Sequence, residues 1–95
     1  MEIDSIRHKA LHRFFVTGNS KGLDGDQVDR LRKMLNYIVT SKSFDELKLQ
    51  PNYGLHPLTG NRVGVWAMTV TRNWRLTFHK IDEQTVAELD LEDYH

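Results

Sequence analysis

Two hydrophobic periods divide the chain: a helical spacing near 3.6 residues before Tyr53, and an alternation in twos after it. A short edge strand is expected within Met1 to Ser5. Ala10, Leu11, Phe14 and Phe15 then share one face of a helix that Gly18 and Gly22 bring to a stop. Asp24, followed three residues later by Gln27, has the form of a capping box and opens a longer helix. Val28, Leu31, Leu35 and Ile38 make its core stripe, with Met34 and Val39 at the flanks, while Asp29, Arg30, Arg32 and Lys33 take the wet face. Ser43 with Glu46 repeats the capping pattern and predicts one or two turns carrying Phe44 and Leu47, ended by Pro51-Asn52.

Three strands are expected beyond Tyr53. Val63 to Val70 alternates Trp66, Met68 and Val70 against Val65, Ala67 and Thr69, so both of its faces are at least partly covered. Thr71-Arg72-Asn73 is a turn, after which Trp74 to Lys80 sends Trp74, Leu76 and Phe78 to one side and Arg75, Thr77 and His79 to the other. The Asp82-Glu83 turn leads to Thr85 to Leu91, with Ala87, Leu89 and Leu91 on one side and Glu88 and Asp90 opposite. Helices then cover the apolar face of a small sheet, an α+β domain spanning residues 1–95.

Composition narrows the function classes. At 39% hydrophobic and 27% charged residues, with two prolines, the chain is neither a linker nor a disordered tail. It has no cysteine, so thiol nucleophiles, disulfides and Cys-type zinc sites are excluded, and the cytoplasm is the expected compartment. No run approaches the roughly 18 apolar residues of a membrane span, and the first residues lack the apolar core of a secretion signal. The formal charge is zero, from thirteen basic and thirteen acidic side chains, but the signs are segregated. Arg7 to Leu23 and Leu49 to Ile81 carry cations and no carboxylate, while Asp82 to His95 carries carboxylates and neither Lys nor Arg. The segregation fits cross-strand pairing, a phosphate-binding surface, or both.

His8 and His12 have the i,i+4 spacing of a helical metal pair. They lack the accompanying Glu and any third ligand nearby, so no metal and no other cofactor is expected. Neither a Gly-x-Ser-x-Gly turn nor a phosphate-binding glycine loop is present. What remains is His56 in His56-Pro57-Leu58-Thr59-Gly60, Asn73-Trp74-Arg75 at the turn into a strand, and Asp93-Tyr94-His95. Gathered together, they offer titratable imidazoles, a fixed cation, an amide and a phenol. Cleavage of RNA by its own 2′-OH asks for that set: a proton acceptor, a proton donor to the leaving 5′-oxygen, and positive charge beside the phosphorane-like transition state. Each residue also has a plain structural reading. Asn73 suits a turn, Arg75 can pair with Glu88 or Asp90 across the sheet, and Trp66 and Trp74 suit the core.

The run from Leu55 to His95, with His56-Pro57-Leu58-Thr59-Gly60, Trp66, Asn73-Trp74-Arg75 and Asp93-Tyr94-His95, resembles the HigB toxins of the RelE superfamily. The likeness extends more weakly through Val28-Asp29-Arg30 and Lys9 to Phe15. It implies a RelE-like α+β fold, with N-terminal helices packed on a small curved, mainly antiparallel sheet. It also implies ribosome-dependent cleavage of messenger RNA in the decoding site. The implied partner is a HigA-like helix-turn-helix antitoxin, with operator DNA bound only through the toxin-antitoxin complex. Carried over residue by residue, the resemblance makes His56, Asn73, Arg75, Asp93, Tyr94 and His95 the candidate site. His95 is then the general acid, Arg75 the phosphate cation, Tyr94 a stacking or hydrogen-bonding partner, and His56 or Asp93 the base. Arg72, Lys21 and Arg62 join Asn73 as expected RNA contacts. Some family members carry lysine where this chain has Thr59, and the family is generally basic. A weakened relative that only binds antitoxin or ribosome is therefore the competing expectation.

Overall fold

The computed structural model describes residues 1–93; Tyr94 and His95 lie outside the described residues. Strand β1 (Glu2–Ile3) leads to helix α1 (Lys9–Thr17), helix α2 (Gly25–Thr40) and the one-turn helix α3 (Phe44–Leu47). Strand β2 (His56–Pro57) lies between 3₁₀ turns at Pro51–Tyr53 and Gly60–Arg62, and β3 (Val65–Thr69), β4 (Trp74–Asp82) and β5 (Thr85–Asp93) follow. The sheet order is β1-β5-β4-β3-β2, antiparallel except for the parallel β1–β5 edge. The expected α+β architecture is therefore present, with β2 as a strand the alternation did not announce. Two residues are too few to display a period.

Local chemistry sets the helix ends. His8 is the N-cap of α1, its Nδ1 accepting the Leu11 amide at 3.1 Å, so this ring serves the backbone. Gly18 ends α1 in the left-handed region, φ 80°, where a side chain would be strained. Asp24 stands at the N-cap of α2 as expected but makes no side-chain capping bond. Its partner Gln27 is buried. Ser43 does cap α3, accepting the Glu46 amide at 3.2 Å, and the Glu46 carboxylate accepts the Lys42 amide at 3.1 Å.

The core lies between the helices and one face of the sheet. Leu11 and Phe14 of α1, Leu31, Met34, Leu35 and Ile38 of α2, and Phe44 and Leu47 of α3 meet Met68, Val70, Leu76, Phe78, Val86, Leu89 and Leu91. Trp66 and Trp74 pack against this cluster, Trp66 edge-on to Phe44 at 4.9 Å between ring centroids. Val39, expected at the flank of the stripe, and Phe15, expected on the shared face of α1, are partly exposed, and Val16 is more so.

Two sequence expectations are corrected. On β5 the core takes Val86, Leu89 and Leu91, while Ala87 pairs with His79 outside it. The cause is a β-bulge: Thr77 pairs with Asp90 but His79 with Ala87, so Glu88 and Leu89 together oppose Phe78. Glu88 takes φ 56° to make the bulge. Ser5 holds it there, its hydroxyl accepting the Glu88 amide at 2.9 Å and its carbonyl the Leu89 amide at 3.1 Å. Arg30, expected on the wet face of α2, instead folds inward, because two backbone carbonyls and the Tyr53 ring receive its guanidinium.

Candidate active site

The face of the sheet turned away from the helices carries a cleft of about 540 Å³. Antiparallel register builds its floor: Ala67 sits opposite Thr77, Thr69 opposite Arg75, and Arg75 opposite Glu92. The segment from Gly54 to Val63 forms one wall, bringing His56, Leu58, Thr59 and Arg62 to the cleft, and Asp93 with Glu92 lines it from the end of β5. Of the residues singled out by sequence, His56, Arg62, Arg75 and Asp93 therefore share one cavity. Arg72 and Asn73 sit exposed on the β3–β4 turn, and Lys21 lies in the loop between α1 and α2; none of the three lines the cleft.

The orientation of the His56 ring follows from its neighbour. Its Nδ1 lies 2.8 Å from the Gly54 carbonyl oxygen. A carbonyl only accepts, so Nδ1 carries the hydrogen, and in the neutral ring Nε2 is the nitrogen with the available lone pair. Gly54 holds this carbonyl in a left-handed turn, φ 59°, that closes the Pro51–Tyr53 segment. Pairing of His56 with Ala67 in the β2–β3 ladder fixes the backbone on the other side.

Arg75 is held over the turn that precedes it. One terminal nitrogen, Nη1, donates to the carbonyls of Thr71 at 2.9 Å, Trp74 at 3.1 Å and Arg72 at 3.3 Å. The cross-strand alternatives named from sequence, Glu88 and Asp90, are not its neighbours in the register. Glu92 is, and Glu88 at the bulge instead pairs with Arg7 at 3.5 Å. Strand pairing was invisible in sequence because it depends on the bulge.

Glu92 is the functional-face residue that sequence reasoning missed. Arg62 grips it with both terminal nitrogens, each at 2.7 Å, and the buried Thr77 hydroxyl donates to the same carboxylate. The carboxyl is held below its ordinary value, first by the Arg62 hydrogen bond against the opposing pull of burial, and further by Thr77. Arg62 thus has a protein carboxylate as its partner and ties the wall of the cleft to β5. The signal was present in the alternation of Arg75 with Thr77 and of Asp90 with Glu92, but only the register says which of them meet.

Among the described residues no group of three or more His, Asp or Glu is arranged to hold a metal ion, and no helix is long and apolar enough to cross a membrane. Among the described residues the chemistry on offer is one imidazole with its Nδ1 on a carbonyl, two guanidinium groups and two carboxylates around an open groove.

Against known proteins, residues 4–95 match the family described as the RelE-like toxin of type II toxin-antitoxin system HigB. The chain belongs to this HigB-like toxin family. A relative from Proteus vulgaris, the Endoribonuclease HigB, is 42% identical over 93 residues, covering 98% of this chain and 99% of its own. Solved structures agree in fold. A YafQ variant from E. coli superposes with a TM-score of 0.64 at 17% identity, covering 97% of this chain and 91% of its own. The YoeB/ParE toxin from Agrobacterium tumefaciens does so with 0.54 at 16% identity, covering 100% and 99%. The RelE-like fold expected from the resemblance is thus the fold of this HigB-like chain, and membership of a toxin-antitoxin family brings an antitoxin partner with it.

Proposed function

We propose that this HigB-like chain is a metal-independent endoribonuclease that cuts messenger RNA in the ribosomal A site and so stops translation. A HigA-like helix-turn-helix antitoxin neutralises it in the cytoplasm, and operator DNA is reached only through that complex. The observation that carries the reading is the meeting of His56, Arg75 and Asp93 in one cleft, with the His56 ring fixed so that Nε2 is the accepting nitrogen. The name of the Proteus vulgaris relative supports the activity.

In this mechanism His56 takes the proton from the 2′-OH, with Asp93 as the other base available in the cleft. The 2′-oxygen bonds to the adjacent phosphorus, the bond from phosphorus to the 5′-oxygen breaks, and His95 gives its proton to that leaving oxygen. The product is a cyclic phosphate. Arg75 stands beside the charge that develops on the phosphorane-like oxygens. Tyr94 stacks on a base, and Asn73, Arg72, Arg62 and Lys21 contact RNA. His95 and Tyr94 follow directly on Asp93, the last residue of β5 and part of the cleft lining.

The test is cleavage of a messenger RNA on purified ribosomes beside the same RNA free, without added metal, by wild-type protein and by His95→Ala. Cuts that require the ribosome and vanish in the variant are expected. A second reading has its own support: both terminal nitrogens of Arg62 are engaged by Glu92, which leaves fewer donors for phosphate and fits a weakened member acting as antitoxin-binding co-repressor or ribosome binder. No cutting in any lane, with folded protein and active ribosomes, would move the assignment there.

A further inference from the structure

Arg30 is on α2, outside the cleft lining, yet its contacts converge on the segment that carries His56. Its Nη2 donates to the carbonyls of Asn52 at 3.0 Å and Thr69 at 3.2 Å, and its guanidinium lies 5.1 Å from the centre of the Tyr53 ring. Asn52 and Tyr53 belong to the 3₁₀ turn whose Pro51 carbonyl accepts the Gly54 amide at 3.2 Å, and Thr69 ends β3. One planar cation thus joins the turn that leads into the cleft wall to the end of a floor strand. Tyr53 also packs against Tyr37, at 5.6 Å between ring centroids, and Tyr37 is itself anchored through a hydroxyl donating to the Glu46 carbonyl at 2.9 Å.

The cost of this arrangement argues against simple surface decoration. Arg30 Nε is buried with no hydrogen-bond partner among the described residues, a position in which an arginine is unfavourable unless its other groups are needed. What lies two residues beyond Asn52 is the Gly54 carbonyl, the group that selects the His56 tautomer at 2.8 Å. A free neutral imidazole favours hydrogen on Nε2, the opposite of what the cleft requires of a base facing RNA. The Gly54 carbonyl must be held in place to reverse that preference, and its own backbone is an exposed left-handed turn between the partly buried Tyr53 and Leu55.

We propose that Arg30 is a positioning residue for His56: by tying Asn52 to Thr69 it holds the Gly54 carbonyl against Nδ1 and leaves Nε2 as the proton acceptor. This rests on the ribonuclease reading for its consequence in activity, but not for the tautomer itself. A lysine at this position keeps the charge and one carbonyl bond while losing the flat contact with Tyr53.

The nitrogen spectrum of the imidazole decides the matter directly. In 15N-labelled protein at about pH 8, above the ordinary imidazole range, wild-type His56 is expected to be hydrogenated on Nδ1. Arg30→Met is expected to shift it toward the Nε2-hydrogenated form, with Arg30→Lys between the two. The Lys variant carries the test if the Met variant does not fold. On ribosomes, Arg30→Met is expected to lower kcat by at least about tenfold with KM little changed, and to change cleavage by less than about twofold when His56 is already alanine. An unchanged His56 spectrum in both variants, or equal losses with and without His56, overturns the proposal. If His56→Ala cleaves at the wild-type rate, the assignment of His56 as base fails on its own, and the spectrum still decides the role of Arg30.

Discussion

On β4, Leu76 and Phe78 are fully buried against the helices, whereas Arg75 and Thr77, each one position away, look into the cleft. The same strands therefore serve two solvents. The helix side is filled by side chains that interlock without polar partners, so any residue of similar volume and apolarity meets its demand. On the cleft side every polar atom needs a named partner: Glu92 has Arg62 and Thr77, the His56 ring has Gly54, and the Arg75 guanidinium has the carbonyls of its own turn. One face tolerates chemical monotony and punishes lost volume. The other face tolerates small volume changes and punishes a lost hydrogen bond.

That contrast can be broken most forcefully from the core side. Phe44 is fully buried and contacts both Trp66 and Phe78, so Phe44→Ala should cost about 3–5 kcal/mol in urea unfolding. A loss below about 1 kcal/mol would mean that the helical face is loosely packed. Arg75→Ala should do the reverse, reducing RNA cleavage by at least about tenfold while the urea midpoint moves little. A large stability loss with intact cleavage would make Arg75 a turn-bracing residue.

Smaller effects sharpen the comparison. Ser43→Ala removes the cap of α3 and should cost about 1 kcal/mol, read from the thermal midpoint, with cleavage unaffected. Glu92→Gln breaks a partly exposed ion pair, worth below about 1 kcal/mol at neutral pH. Its diagnostic is the pH dependence. Because the folded state lowers the Glu92 value, the stabilisation is present above the unfolded carboxyl value of about 4.3 and is lost as pH falls through the folded one. The wild-type thermal midpoint should therefore fall more steeply below that pH than the midpoint of Glu92→Gln. Parallel curves would show that Glu92 contributes nothing to acid sensitivity.

The helical face was the more legible in sequence, since Leu31, Leu35 and Ile38 declare themselves by spacing alone. The places of β3, β4 and β5 and the inward side of β4 were equally readable, the latter from the alternation of Leu76 and Phe78 with Arg75 and Thr77, whereas two-residue β2 was not. The inward role of Arg30 was not, because an arginine on a helix looks solvated until carbonyls from distant loops arrive beside it. For the site, residue types and motif spacing singled out His56, Arg75 and Asp93, which do meet in the cleft. The Arg62–Glu92 grip and the His56 tautomer escaped, since both are products of register and turn geometry rather than of spacing.

The bulge at Glu88 and Leu89 makes the end of β5 sensitive to where a residue is lost. Beyond it, Leu91 falls toward the helices and Glu92 toward the cleft. Deleting one of the two bulge residues would remove the extra one and leave Leu91 opposite Leu76 and Glu92 opposite Arg75, so both keep their faces. Substitutions along β5 can be absorbed one at a time, but loss of Asp90, beyond the bulge that Ser5 fixes, would carry Leu91 to the cleft side and Glu92 toward the helices.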